Sequence, residues 1–144
     1  MITQSPEETR QLAREFMANL GVSPLPENSA TIVELVGDLG AGKTTFMSGV
    51  GEFLGVKEPI ISPTFLIQRN YKIEGNLPWK NLVHLDAYRI EDEKELIGID
   101  WEKYSNDKDN LIFIEWPENL RTSFPVTKRI QFKYLSECER EIQI

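Results

Sequence analysis

Thr31-Ile32-Val33-Glu34-Leu35-Val36-Gly37-Asp38-Leu39-Gly40-Ala41-Gly42-Lys43-Thr44-Thr45-Phe46-Met47 is the stretch from which the fold can be read. Gly37, four intervening residues and then Gly42-Lys43-Thr44 have the spacing of a phosphate-binding loop. Glycines let the backbone approach a polyphosphate closely, and successive N–H groups turn inward onto its oxygens. Lys43 would reach the β- and γ-phosphates, and the Thr44 hydroxyl would ligate a magnesium ion. With Gly at about 7% of average usage, the pattern arises by chance in roughly one chain of this length in a few hundred, so context must add weight. A strand has to enter the loop and a helix to leave it, so that the phosphates sit on a helix N-terminus. The β-rich run 31–36 and the stretch from Lys43 onward supply both. Gly37, Asp38, Leu39, Gly40, Ala41, Gly42, Lys43, Thr44 and Thr45 are therefore the candidate nucleotide contacts.

A length of 144 residues suits one domain, 1–144, with room for a real core. The net charge is −7, with the acidic residues scattered and not gathered in a tail, which argues against direct, charge-driven nucleic-acid binding. One cysteine, Cys138, cannot form an internal disulfide, and Met1-Ile2-Thr3-Gln4-Ser5 lacks the basic and apolar regions of a secretory signal. No apolar run approaches the roughly 20 residues of a membrane span. A soluble cytoplasmic protein without membrane contact is expected.

Upstream of the loop, Ser5-Pro6-Glu7-Glu8 reads as a helix start: Ser5 caps, Pro6 suits the first position and Glu8 completes a capping box. Leu12, Phe16 and Leu20, with Ala13 and Met17, form its apolar stripe, and Gly21 is placed to end it. Downstream, the helix from Lys43 runs to Gly55 as its C-terminal cap. Ser62-Pro63-Thr64-Phe65 is a bend entering a strand; residues 65–86, with a Gly75-Asn76 turn, read as an antiparallel hairpin ending in Leu82-Val83-His84-Leu85-Asp86. Residues 91–96 read as a short, charged helix, followed by Gly98 and a second short element around 101–104. Leu111-Ile112-Phe113-Ile114 has no polar break, as expected of a central strand buried on both faces. Residues 129–134 and 141–144 are further strands, the first supported by the alternation of Ile130, Phe132 and Tyr134.

Nucleotide hydrolysis needs a second acid beside the metal, supplied by the end of a buried strand next to the loop. Glu115, directly after the Leu111-to-Ile114 run, is the candidate. Asp86 also ends an apolar run, and either positions the attacking water, supports the metal from behind, or forms a simple ion pair with Arg89, which could otherwise stabilise γ-phosphate charge. Thr64 sits where a switch threonine would sense the γ-phosphate or metal, with Ser62 the weaker member of the pair. His84, between apolar neighbours, reads as a packed or hydrogen-bonded structural residue. Trp116 and Tyr104 read first as core or interface aromatics. No cluster has zinc spacing.

Together, Gly37-Asp-Leu-Gly-Ala-Gly-Lys-Thr44, Ser62-Pro-Thr-Phe65, His84-Leu-Asp-Ala-Tyr-Arg89, Glu95-Leu96 with Gly98, and Ile114-Glu-Trp-Pro-Glu118 resemble the TsaE (YjeE) family in wording, order and spacing. The resemblance covers about residues 5–118, and the Ser-Pro-Thr-Phe and Ile-Glu-Trp-Pro-Glu motifs make it specific. It implies a small bacterial ATPase required for threonylcarbamoyladenosine (t6A) formation on tRNA. Such a protein works with and is activated by the TsaD–TsaB pair and meets tRNA only indirectly, through that complex. It further implies ATP and Mg2+ as cofactors, Lys43 as the phosphate lysine, Thr44 and Glu115 as magnesium ligands, Thr64 as switch and Asp86 as catalytic acid. Trp116 would lie close to the nucleotide and Thr9 would border it. After Pro125 no family motif is recognisable.

The alternative activity is a small-molecule kinase, which shares the loop but usually carries an Arg-bearing lid; here Arg89, Arg121, Arg129 and Arg140 are well apart. A GTPase lacks support, since Asn106-Asp107-Lys108-Asp109 has the base-reading letters in the wrong order. The expected fold is α/β, a three-layer P-loop NTPase with a mixed sheet: parallel core strands around 32–36 and 111–114, extended by the antiparallel hairpin.

Overall fold

A computed structural model describes residues 1–63, 67–90, 99–120 and 123–144. The Thr64 and Phe65 positions and the expected helix over 91–96, with Gly98, lie outside the described residues. The elements run β1 (Ile2–Thr3), α1 (Pro6–Val22), β2 (Thr31–Val36), α2 (Lys43–Phe53), β3 (Gln68–Lys72), β4 (Asn81–Asp86), α3 (Trp101–Ser105), β5 (Asn110–Glu115), a 3-10 turn (Pro117–Asn119), β6 (Lys128–Tyr134) and β7 (Arg140–Gln143). They build one seven-stranded sheet in the order β1-β7-β6-β2-β5-β4-β3. β6, β2, β5 and β4 are mutually parallel, and β3, β7 and β1 extend this core antiparallel at the two edges.

The buried strand β5 organises the two faces. Leu111 and Phe113 join Val33, Leu35 and the apolar stripes of α1 and α2 on one side. Ile112 and Ile114 join Ile32, Val83 and Leu85 on the other, covered by Trp101, Tyr104, Trp116 and Phe124. All four apolar residues of β5 are fully buried, each contributing roughly 1.5–3 kcal/mol relative to exposure. This is the three-layer α/β arrangement that the loop and its flanking strand imply.

Local chemistry sets the element ends. Ser5 caps α1 by accepting from the Glu8 N–H at 3.2 Å, while the Glu8 carboxylate takes the N–H of Gln4, one residue earlier than a standard capping box. Gly21 does not end α1: the helix continues to Val22 and stops because Pro24 forces Ser23 out of the helical region, where its φ/ψ are −79°/158°. Gly55, at φ 67°, closes α2 as its spacing predicts. Gly49 serves a different need, since a Cβ there would lie 2.5 Å from the Arg10 carbonyl oxygen and 2.8 Å from Ala13 Cβ. Glycine is what lets α2 sit against α1.

The hairpin β3–β4 pairs Gln68 with Leu85 through Lys72 with Asn81. In β6 Ile130 and Phe132 are buried, while Tyr134, the last residue of the strand, is 49% exposed, so the buried alternation stops after Phe132. The two-residue strand β1, paired with β7, has no counterpart in the sequence reading.

Candidate nucleotide site

The carboxyl ends of parallel strands at a change of connection direction are where open α/β sheets leave a crevice. Here β2, β4 and β5 end together: Leu35 is in register with Glu115, and Glu115 with Asp86. Above them lies a cleft of about 720 Å3, within the usual range for a small-molecule site.

The loop between β2 and α2 floors this cleft. Gly37, Gly40 and Gly42 take φ values of 150°, 76° and 104°, which side-chain-bearing residues rarely adopt. Gly37 has a second constraint, because a Cβ would come within 2.4 Å of the Phe132 carbonyl oxygen on β6. Gly42 opens α2, whose first N–H groups have no intrahelical acceptor; Gly42, Lys43, Thr44 and Thr45 line the cleft there. Leu39 and Gly40 line it as well, whereas Gly37, Asp38 and Ala41 are not among the residues that line it.

Lys43 is nearly buried, and its Nζ donates to the carbonyls of Gly37 and Asp38, the latter at 2.9 Å, while lying 4.8 Å from the Trp116 ring. Burial pushes this ammonium below the ordinary lysine value; the nearby carboxylates Glu115 and Asp86 oppose that shift. The group is thus a desolvated cation facing two acids, and a polyphosphate would add negative charge where it counts most.

Asp86 and Glu115 both line the cleft and are both buried. Asp86 Oδ1 accepts from the Tyr88 N–H at 3.0 Å, which fixes the turn after β4. Arg89 lines the same cleft. Glu115 Oε1 lies 2.8 Å from His84 Nε2. Trp116, at φ 55°, turns the chain after β5 so that its ring flanks Lys43 and meets Tyr88 at 5.0 Å. Thr9 lines the far end, its hydroxyl 2.9 Å from that of Thr3. Ser62 lies on the cleft wall, and Tyr104 lies elsewhere, packed on the core with its hydroxyl accepting from Asn70 at 2.9 Å.

Gln4, Tyr88, Glu137, Cys138 and Arg140 also line the cleft and were not singled out from the sequence. Arg140 reaches it because β7 folds back beside the loop: its Nε donates to the Gly40 carbonyl at 3.0 Å, and its guanidinium stacks 4.5 Å from the Tyr134 ring. No local motif marks it, since 100 residues separate the partners.

The oxygen donors Thr44, Asp86 and Glu115 share this cleft with the lysine. Among the described residues no group of three or more His, Cys, Asp or Glu side chains converges to cage an ion. A hydroxyl with one or two carboxylates is what Mg2+ uses when it is carried by phosphates.

The family model described as Threonylcarbamoyl adenosine biosynthesis protein TsaE matches residues 3–142. A Bacillus subtilis protein named tRNA threonylcarbamoyladenosine biosynthesis protein TsaE is 37% identical over 141 residues, 97% of this chain and 80% of that protein. An Aquifex aeolicus protein of the same name is 30% identical, covering 100% of this chain and 93% of its own. The crystal structure of Bacillus subtilis YdiB matches with a TM-score of 0.68 at 29% identity, covering 99% of this chain and 80% of that one.

Proposed function

Because the chain belongs to the TsaE family, we propose that it is the ATP-hydrolysing component of tRNA threonylcarbamoyladenosine (t6A) biosynthesis, with weak basal activity raised by the TsaD–TsaB pair. The convergence of the phosphate loop, Lys43, Asp86 and Glu115 in one cleft supports this reading. The loop N–H groups and Lys43 hold the β- and γ-phosphates, and Thr9 and Trp116 flank the nucleotide. Thr44 and Glu115 would hold Mg2+, which when bound supplies charge neutralisation on the phosphates. Asp86 orients the water that attacks the γ-phosphorus or supports the metal ligands from behind; water adds as the bond to the β-phosphate oxygen breaks, giving ADP and phosphate. Thr64 is assigned as the switch from the sequence motif.

Among the described residues no helix is long and apolar enough to cross a membrane. We place the protein in the cytoplasm, with the tRNA modification for which its relatives are named. The net charge of −7 favours contact with protein partners over direct contact with tRNA.

Phosphate release from ATP and GTP, with and without TsaD and TsaB, tests the function. Partner-stimulated ATP hydrolysis that needs no acceptor is expected. Transfer of the γ-phosphate to a metabolite would replace this reading with the kinase.

A further inference from the structure

His84 is a buried imidazole on the face of the sheet that packs on α1 and α2, flanked along β4 by Leu82 and Asp86. Strand alternation puts Leu82, His84 and Asp86 on one side of β4 and Leu111, Phe113 and Glu115 on the same side of β5. The register pairs His84 with Phe113 and Asp86 with Glu115, so His84 and Glu115 are diagonal neighbours beneath the loop. His84 is wholly inaccessible and Glu115 nearly so. A polar ring in that position costs free energy unless it is hydrogen-bonded, and its single hydrogen bond goes to the carboxylate at the end of the neighbouring strand.

The direction of that bond follows from the other nitrogen. Nδ1 is buried and makes no hydrogen bond. A proton on Nδ1 would be a stranded donor, while a carboxylate facing an unprotonated Nε2 would be two acceptors in contact. Carrying the proton on Nε2 removes both difficulties, so Nε2–H donates to Oε1 and leaves only an unfilled acceptor at Nδ1. With Oε1 engaged, Oε2 is the carboxylate oxygen left for the cleft that Glu115 lines.

We propose that His84 is a positioning residue: its Nε2–H locks the Glu115 carboxylate so that one defined oxygen is offered to the divalent cation bound with the nucleotide. The proposal rests on Glu115 being a metal ligand. Groups that orient a ligating carboxylate typically matter 10–100-fold for metal affinity.

The test uses Mn2+ in the presence of ADP, followed by electron paramagnetic resonance, beside ADP affinity measured in EDTA. His84→Phe keeps an aromatic ring and removes the donor. His84→Gln places an amide N–H near the Nε2 position. We expect His84→Phe to weaken Mn2+ binding by about tenfold or more and His84→Gln to restore it to within about threefold, with ADP affinity in EDTA unchanged in both. Should the Phe variant fail to bind ADP in EDTA, His84→Asn, whose amide nitrogen takes the Nδ1 position, replaces it and carries the same expectation. Equal Mn2+ loss in the Gln variant and the donor-free variant, or loss in neither, overturns the proposal. Glu115→Gln separates the premise: unchanged Mn2+ affinity there removes Glu115 as a ligand, whatever the His84 variants do.

Discussion

Glu115 is where sequence position and chemistry meet most closely, because the strand that buries it also aims it. Its neighbour Ile114 is in the core, its own backbone carbonyl accepts the Ala87 N–H at 3.0 Å, and its side chain is tied to His84. Replacing Glu115 with alanine would strand the His84 donor as well as remove a charge, and an unsatisfied buried donor costs about 1–3 kcal/mol. Glu115→Gln separates these effects, since the amide oxygen can still accept from Nε2. The expected result for both variants is ATP binding largely retained and turnover lowered at least tenfold, equivalent to about 1.4 kcal/mol of transition-state stabilisation, with a lower melting temperature in the Ala variant alone. Steady-state hydrolysis beside nucleotide titration checks this, and an unchanged rate in both would take Glu115 out of the site.

Among the elements, those whose signals are local were legible in the sequence. The strand–loop–helix around Gly37 to Thr44 needs only periodicity and glycine spacing, and the unbroken Leu111-to-Ile114 run marks a strand buried on both faces. The hairpin is marked by the Leu82-to-Leu85 run and the Gly75-Asn76 turn, although its first strand, Gln68–Lys72, is largely polar. Contacts between distant segments were not legible. β1 is two residues long, too short for any period, and is defined by its pairing with β7. Arg140 gains its place at Gly40 through a strand return, and the His84–Glu115 pair depends on the register between β4 and β5, which no single-strand pattern encodes. Gly49 belongs to the same class: within α2 it looks like a weak helix residue, yet the close approach of α1 requires it. Helix propensity alone predicts that Gly49→Ala stabilises by up to about 1 kcal/mol. Packing predicts the reverse, about 1–3 kcal/mol of destabilisation, because the Arg10 backbone cannot give way cheaply. Chemical denaturation of the variant decides between them, and a stabilised protein would show that α1 and α2 can separate without cost.

At the scale of the molecule, the cleft draws on both ends of the chain and on its middle: Gln4 and Thr9 at the start, the loop, Asp86 and Glu115 in the centre, and Glu137, Cys138 and Arg140 near the end. The two ends are themselves joined, with the Met1 amino group donating to the Ile142 carbonyl at 2.7 Å and β1 paired to β7. A nucleotide seated in this cleft therefore touches both terminal segments, whose direct backbone pairing is the short β1–β7 edge. Ligand that binds only the folded state adds RT ln(1 + [L]/Kd), about 2.7 kcal/mol at a hundredfold excess over Kd, which for a domain of this size raises the melting temperature by roughly 10 °C. Because short strands at the margin of a sheet open at low free-energy cost, the change in amide hydrogen exchange is expected to be large in the edge strand β1 and its neighbour β7 as well as in the first turn of α2. Thermal unfolding and exchange with saturating ATP analogue and Mg2+ provide the check. Protection confined to the phosphate loop would mean that the terminal strands serve only as scaffold, and a melting temperature that does not move would exclude nucleotide from the cleft altogether.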